Sequence, residues 1–238
     1  LTHIPVMAVL PDESKAMVLP VLNLGGAGLF VGILMAFFAV EVLRFFKARK
    51  LVIKMPEGVP EAVSRSFEAL FPTVFIVLVV SLITVILSEK FGTNLHKLVY
   101  IVFQPLERFV NHPLGVVLMV LLITLLWACG IHGVAVIGSV ARPIWINLLD
   151  QNIVAQTNGV LPPNVAPEPF YQWFVWIGGS GCTIGLLLLM CISKSKQLKS
   201  LGYMAFLPGI FNINEPIIFG APIVMNPFLI FPFMLAPL

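Results

Sequence analysis

Long apolar stretches with almost no charged residues recur along this chain. One runs from Ala16 to Val40 without a charge, and another, from Leu201 to Leu238, contains a single charge, Glu215. A helix needs about 20 apolar residues to cross the roughly 30 Å hydrocarbon core of a membrane. Charged residues form only 11% of the sequence, whereas soluble domains carry about 25%. The sequence therefore predicts an all-α, polytopic helical membrane protein.

Two basic clusters orient the predicted spans. The clusters Arg44 to Lys50 and Ser193 to Lys199 each follow an apolar stretch, and Lys and Arg accumulate at the cytoplasmic ends of membrane helices. The span Ala16 to Val40 should therefore end in the cytoplasm. A second span, Ala69 to Ser88, should return outward, and Phe170 to Ser193 should run inward again.

Two amphipathic helices are predicted between and after the first spans. In Met55 to Pro72, charged residues alternate with apolar ones at helical spacing, which favours a short helix at the cytoplasmic surface. The mixed segment Glu89 to Pro113 fits an interfacial helix on the outer side.

Two other apolar regions carry helix-breaking residues. The stretch Leu114 to Gln151 is interrupted by Cys129 to Gly133 and by Ser139 to Pro143, which predicts a path into the membrane and back. Six proline and glycine residues fall between Pro208 and Pro227. Proline kinks a helix, and irregular backbone at membrane depth must be covered by protein or border a water-filled cavity. We therefore expect broken helices and re-entrant hairpins, and the two regions resemble each other in design.

Each broken region carries one titratable residue, Glu215 or His132. An acidic residue at the centre of a membrane helix costs about 2.5 to 3.5 kcal/mol, so such residues usually have a function and a partner. Glu215 could instead be a structural carboxylate paired with Arg142, and His132 could simply bond a helix carbonyl. Broken helices whose ends converge are, however, a recurrent way to build a transporter site. We expect the two side chains to meet across a wet pocket.

The residue types around this pair suit a sugar. Amides at Asn212 and Asn214 can bond hydroxyl groups, and aromatic rings can cover the apolar faces of a sugar ring. The candidate stacking groups are Trp127, Trp145, Trp173 and Trp176, of which Trp173 and Trp176 are expected in the aromatic belt at the outer boundary. The three cysteines lack the spacing of a metal site or disulfide framework, and no metal or cofactor is expected.

Three motifs resemble one known family. They are "FLPGIFNINEPIIFGAPIVMNP" from Phe206, "WACGIHGVAV" from Trp127 and "MPEGVPEAVSRSFEALFPT" from Met55. Together they resemble the membrane IIC component of the bacterial phosphoenolpyruvate-dependent sugar phosphotransferase system, in its lactose/cellobiose/diacetylchitobiose branch. The similarity extends over essentially the whole chain. The membrane component of that family is longer at both ends, so a fragment is expected.

This resemblance implies a homodimeric carrier in the bacterial inner membrane. It would take up a β-linked disaccharide such as cellobiose, diacetylchitobiose or lactose, and a IIB phosphocysteine partner would phosphorylate the sugar. Residues 1–68 would form the end of the dimerising part and residues 69–238 the substrate-binding part. No nucleic acid partner is implied.

The resemblance also assigns residues to the sugar site. Glu215 and His132 would be catalytic, with Glu215 orienting the reacting hydroxyl and His132 acting as a second ligand and candidate proton acceptor. The substrate-binding set is His132, Gly133, Asn212, Asn214, Glu215 and Trp127.

Two rival functions remain open from the residues alone. In a proton-coupled secondary sugar transporter, the same histidine and glutamate would act as a proton relay. In a scaffold subunit, Gly28 and Gly32 would pack the helices of a dimer closely together.

Overall fold

The computed structural model describes residues 2, 6–9, 14–18, 21–56 and 58–238. The chain divides into two compact units, Leu1–Gln104 and Pro105–Leu238. Helices dominate both units, which confirms the predicted fold class.

The first unit opens with a small β-hairpin that the sequence did not predict. Strand β1 (Val6–Val9) pairs antiparallel with β2 (Lys15–Val18), and a 3₁₀ turn (Val21–Leu24) leads to helix α1 (Gly26–Ala48). The predicted span bounds, Ala16 to Val40, are therefore wrong. An uncharged run does not by itself distinguish strand from helix.

Helix α1 extends beyond the uncharged run because its first charges are exposed and paired. The Arg44 guanidinium donates a hydrogen bond of 2.8 Å to the Glu41 carboxylate one turn earlier. Such pairs are compatible with a helix, so the change in composition at Glu41 does not end it.

The two glycines proposed for helix packing have different surroundings. A Cβ atom at Gly28 would lie 2.0 Å from the Asn23 carbonyl oxygen, so the turn before α1 requires Gly28. A Cβ atom at Gly32 would meet nothing within 4 Å. Only Gly32 therefore leaves space for a further helix.

The next three helices lie where the sequence predicts them. Helix α2 (Glu61–Glu68) has no buried residue, and α3 (Leu70–Phe91) matches the predicted second span closely. Glu68 also pairs with Lys47 of α1 at 3.0 Å. Helix α4 (Leu95–Asn111) occupies the segment predicted as an interfacial helix.

The second unit confirms one predicted break and contradicts another. Helix α5 (Pro113–Ala128) ends before the predicted break at Cys129 to Gly133, and α6 (Gly133–Thr157) begins at its last residue. The predicted break at Ser139 to Pro143 is wrong, because α6 continues through Pro143. Pro143 and its neighbour Ile144 are buried, whereas Ser139, whose carbonyl loses its N–H partner at position 143, is exposed.

The predicted continuous span from Phe170 to Ser193 is also wrong. Helix α7 (Glu168–Phe170) continues as a π-helix (Tyr171–Val175), and α8 (Ile184–Cys191) begins only after a non-helical loop. We call residues 176–183 the glycine loop. Three of its glycines have φ angles of +80° to +101°, a left-handed region that glycine adopts readily: Gly178, Gly179 and Gly181.

The last segment is broken, as the sequence predicts. It consists of helices α9 (Lys196–Ile210), α10 (Glu215–Gly220) and α11 (Pro227–Leu235). Pro216 and Pro227 stand in the first turns of their helices, where a missing N–H costs nothing. Between α10 and α11, the Met225 N–H donates to the Ala128 carbonyl at the end of α5.

Within the described residues, three helical stretches are long and apolar enough to cross a membrane. They are Gly26–Ala48, Glu61–Phe91 and Gly133–Thr157, and the bent pair α4 and α5 brings the total to four if it counts as one span.

Candidate functional site

His132 is placed by a tight helix ending. The Gly130 N–H donates to the Trp127 carbonyl and the Ile131 N–H donates to the Leu126 carbonyl, which is the Schellman pattern. Gly130 has φ +78°, the left-handed conformation that this ending requires. The chain then turns at once into α6, and His132 becomes the residue that caps it.

The cap defines which nitrogen of His132 faces the cavity. Its Nδ1 accepts a hydrogen bond of 3.1 Å from the Ala135 N–H. A nitrogen that accepts carries no proton, so the ring proton of the neutral imidazole lies on Nε2. His132 can therefore donate from Nε2 toward a ligand or a neighbouring acceptor.

Glu215 provides that acceptor. It is the first residue of α10, and its Oε1 lies 3.4 Å from His132 Nε2. Its other oxygen, Oε2, is buried and has no hydrogen-bond partner among the described residues. A buried acceptor without a partner is costly, so this oxygen is available to a ligand.

The two side chains lie in one cavity of the second unit, with a volume of about 140 Å³. The lining also includes aromatic rings, amides and a second charged group. The residues concerned are Trp127, His132, Val134, Arg142, Gln172, Trp176, Gly179, Ser180, Asn212, Ile213, Asn214 and Glu215.

Trp127 forms an aromatic wall beside the histidine. Its ring centroid lies 4.3 Å from that of His132, and the residue is 2% exposed. Its Nε1 is buried without a hydrogen-bond partner in the described part of the chain. The ring thus lies against His132, and its indole N–H is a donor that no described residue uses.

Asn212 uses its side chain to hold the glycine loop. Its Oδ1 accepts from the Gly178 N–H at 2.9 Å, and its Nδ2 donates to the Gln172 carbonyl at 3.0 Å. The amide therefore joins the break before α10 to the π-helix, at Gln172, and to the glycine loop, at Gly178.

Asn214 is buried and holds the same loop further along. Its Nδ2 donates to the Ser180 carbonyl at 2.6 Å and to Thr183 Oγ1 at 3.1 Å. A Cβ atom at Gly179 would lie 2.3 Å from the Asn214 side chain. Both asparagines line the cavity, but in this structure their amide N–H groups bond to protein.

Gly133 lies behind the cavity wall and does not line it. A Cβ atom there would lie 2.1 Å from the Ile123 carbonyl oxygen. The glycine therefore lets α6 begin against the backbone of α5, which positions the adjacent His132.

Arg142 does not pair with Glu215, so the ion pair suggested for a structural Glu215 is wrong. Its guanidinium lies 3.8 Å from Glu168 Oε1, and the same carboxylate oxygen accepts a hydrogen bond of 3.0 Å from Gln172 Nε2. The sequence singles out Arg142 only as a partner for Glu215, and Gln172 not at all.

The other three tryptophans differ in exposure, one being exposed and two buried. Trp173 is 74% exposed, which suits the aromatic belt predicted for it. Trp176 is buried and lines the cavity, so its assignment to the belt is wrong. Trp145 is fully buried against Tyr171 and Trp176 and does not reach the cavity. The sequence places both tryptophans in one continuous span, whereas Trp173 lies in the π-helix and Trp176 begins the glycine loop.

Metal chemistry has no support in the described ranges, because no group of three or more histidine, cysteine or acidic side chains there is arranged to hold an ion. The three cysteines are free thiols, and Cys129 is exposed at the end of α5.

A comparison with known protein families establishes the family to which the chain belongs. The profile of the family described as "Phosphotransferase system, EIIC" matches residues 1–237. This chain belongs to the EIIC family. The family resemblance that three motifs suggested is therefore confirmed, and the chain is an integral membrane protein.

Individual EIIC proteins show how far the similarity extends. The cellobiose-specific EIIC component of Geobacillus stearothermophilus is 44% identical over 215 residues, which cover 89% of this chain and 48% of the relative. The oligo-beta-mannoside-specific EIIC component of Bacillus subtilis is 42% identical over 233 residues, or 96% of this chain and 53% of the relative. This chain spans about half the length of these proteins.

A solved structure has the same fold. The crystal structure of ChbC, the IIC component of the N,N'-diacetylchitobiose-specific phosphotransferase system, superimposes with a TM-score of 0.85 at 41% identity. The match covers 99% of this chain and 56% of that protein.

Proposed function

We propose that this chain carries the sugar site of a phosphotransferase permease. The permease takes up a β-linked disaccharide across the bacterial inner membrane and presents it to a IIB phosphocysteine partner. Membership of the EIIC family supports the transport role. The names of the relatives, specific for cellobiose, oligo-beta-mannoside and diacetylchitobiose, support a β-linked sugar.

The observation that carries the proposal is the convergence of His132 and Glu215. Two helix breaks, 83 positions apart in the sequence, bring an imidazole N–H and a carboxylate within 3.4 Å in one polar cavity. Glu215 Oε2 and Trp127 Nε1 add a buried acceptor and a buried donor that no described residue satisfies. Sugar hydroxyls, which both donate and accept, complement both atoms.

The two catalytic side chains have different roles in this proposal. Because Nδ1 of His132 already accepts the Ala135 N–H, its Nε2 acts as a donor and Glu215 acts as the base. The reacting sugar hydroxyl donates its proton to the Glu215 carboxylate while its oxygen attacks the phosphorus of phosphocysteine. The new O–P bond forms, the P–S bond breaks, and the cysteine sulfur leaves as a thiolate. General-base assistance of this kind is worth about 10² to 10⁴ in rate.

The remaining members of the predicted set have supporting roles in this proposal. Trp127 stacks on the sugar ring, and Asn212 and Asn214 hold the glycine loop that forms the facing wall. Gly133 sets the position of the His132 cap. The cavity of about 140 Å³ is smaller than the roughly 300 to 1,000 Å³ of typical ligand sites, so it accommodates one ring and must widen for two.

The permease is proposed to be a homodimer, with residues 1–68 at the end of the dimerising part and residues 69–238 in the substrate-binding part. The open space at Gly32 of α1 supports a helix contact there. Disulfide crosslinking of a Gly32→Cys variant should give dimers, whereas monomers alone would contradict this arrangement.

Uptake of labelled cellobiose by the full-length protein tests the proposed function. In cells lacking other permeases for this sugar, uptake should require phosphoenolpyruvate and the IIB partner, and phosphorylated cellobiose should accumulate. The Glu215→Gln and His132→Ala variants should lose uptake. Accumulation of unmodified sugar driven by a pH gradient would instead establish the proton-coupled alternative.

A further inference from the structure

We propose that Arg142 determines specificity for a disaccharide by binding the second sugar ring, the one that is not phosphorylated. The inference rests on the proposed function, because it assumes that the other ring occupies the His132 and Glu215 end of the cavity. Arg142 is the cationic side chain among the residues that line this cavity.

Arg142 belongs to a second polar group in the cavity wall. Its guanidinium faces Glu168, whose carboxylate is fixed by the Gln172 side chain. Gln172 is fixed in turn through its backbone, because its carbonyl accepts from Asn212. This second group is therefore built into the same framework that positions Glu215.

The spacing of the two polar groups suits two linked rings. His132 and Arg142 are separated by ten residues along α6, which corresponds to about 15 Å of helix axis. Side chains of a helix tilt toward its N-terminus, so Arg142 reaches back toward His132 and shortens this gap. Both groups line the same cavity, and once it widens for a second ring they can bind the two ends of a disaccharide.

The guanidinium has donors available for a ligand. Its contact with Glu168 is an ion pair at 3.8 Å, longer than a hydrogen bond, and the side chain is 47% exposed. Arginine carries five N–H donors, and among the described residues Arg142 has only this ion pair. A hydroxyl or amide oxygen on the second ring can therefore bind without displacing a hydrogen bond.

Binding of one-ring and two-ring ligands to the full-length protein tests the inference. Cellobiose carries both rings, whereas methyl β-glucoside carries only the ring that reacts. The Arg142→Gln variant should bind cellobiose about 10-fold to 100-fold more weakly, the range expected for a lost hydrogen bond to a charged group. Its affinity for methyl β-glucoside should stay within about twofold of the parent protein.

Further variants distinguish recognition from damage to the fold. Arg142→Lys keeps the charge but loses the planar set of N–H donors. Its affinity for cellobiose should lie between those of the parent and of Arg142→Gln, and its affinity for methyl β-glucoside should match that of the parent. Arg65→Gln removes an Arg–Glu pair from exposed helix α2 and should change neither affinity.

Two results would overturn the inference. Equal weakening of both ligands in Arg142→Gln and Arg142→Lys would show that the arginine acts on the reacting ring, on the transferred phosphate or on the fold. Unchanged cellobiose affinity would show that it does not bind the sugar. Failure of the parent protein to bind either ligand would refute the proposed function itself, and the inference with it.

Discussion

The two helix breaks that meet at the cavity have the same backbone hydrogen-bond geometry, but their side chains have different roles. Asn212 occupies the position in the second break that Gly130 occupies in the first. The Asn212 N–H bonds to the Gly209 carbonyl and the Ile213 N–H to the Pro208 carbonyl, repeating the Schellman pattern. Each break is followed by a helix cap, His132 in one case and Asn214 in the other.

The difference lies in how each break is supported. At the first, Gly130 has no side chain and His132 caps its own helix, and the support from another segment is a backbone bond from the Met225 N–H to the Ala128 carbonyl. The second depends on Asn212 and Asn214, whose amides bind the glycine loop. The same backbone geometry therefore serves two purposes. The first break places the imidazole of His132 in the cavity, and the second holds the glycine loop and places the carboxylate of Glu215 there. Substitutions in the two breaks should therefore have separable effects on sugar transport and on the stability of the fold.

The largest effect is expected at Glu215. Replacement by glutamine keeps the size of the side chain but removes the base, so sugar phosphorylation should slow by about 10² to 10⁴ with little change in thermal stability. The matched control is Glu89→Gln, at an exposed glutamate near the end of α3, which should leave the rate unchanged. A phosphorylation rate near that of the parent in Glu215→Gln would assign the base to another group.

The Asn212→Gly variant tests the dependence of the second break on its side chain. Glycine accepts the φ of +62° found at Asn212, so only the two amide hydrogen bonds are lost. We expect a loss of about 1 to 3 kcal/mol in unfolding free energy, measured by thermal unfolding in detergent. The exposed Asn158→Ala variant serves as the control. An unchanged stability in Asn212→Gly would mean that the glycine loop holds itself in place.

His132 can be compared with His112, because both cap a helix. His112 Nδ1 accepts from the Leu114 N–H at the start of α5, but His112 does not line the cavity. Replacement of either by alanine should cost about 1 kcal/mol of stability. Only His132→Ala should abolish sugar uptake, whereas equal uptake in the two variants would leave His132 with a capping role alone.

The last comparison concerns the backbone of the first break. Gly130→Ala places a side chain in the left-handed region and should cost about 1 to 2 kcal/mol, while Gly130→Asn should cost less because asparagine tolerates this region. Gly185→Ala, at a helical glycine with open space around it, should change stability by less than about 0.5 kcal/mol. Thermal unfolding of the three variants measures the order of their stabilities, and equal losses of stability would argue against the Schellman assignment.

The sequence predicts the elements that follow from local chemistry. The amphipathic helix α2 and the breaks around His132 and Glu215 have clear periodicity or clusters of proline and glycine. The break predicted at Pro143 fails because α6 continues through it, with the Pro143 and Ile144 side chains packed inside the protein. The continuous span predicted from Phe170 fails because the glycine loop depends on amides more than thirty residues away.

The site is only partly accessible to sequence reasoning for the same reason. His132 and Glu215 stand out because each is titratable in an apolar, broken segment. Arg142, Gln172 and Trp176 do not, because their place in the cavity depends on the path of the chain after Phe170. The three glycines of the glycine loop are the local signal that could have indicated this path.

The proposed sugar site requires that His132 and Glu215 act on one ligand in one cavity. A double-mutant cycle on cellobiose affinity tests this directly, with His132→Asn, Glu215→Gln and the double variant in the full-length protein. We expect each single variant to bind cellobiose more weakly than the parent. The double variant should bind about as weakly as the single variant with the lower affinity, which gives a coupling energy above about 0.5 kcal/mol between the two side chains. Independent effects that simply multiply, or no effect of either change, would contradict a shared site.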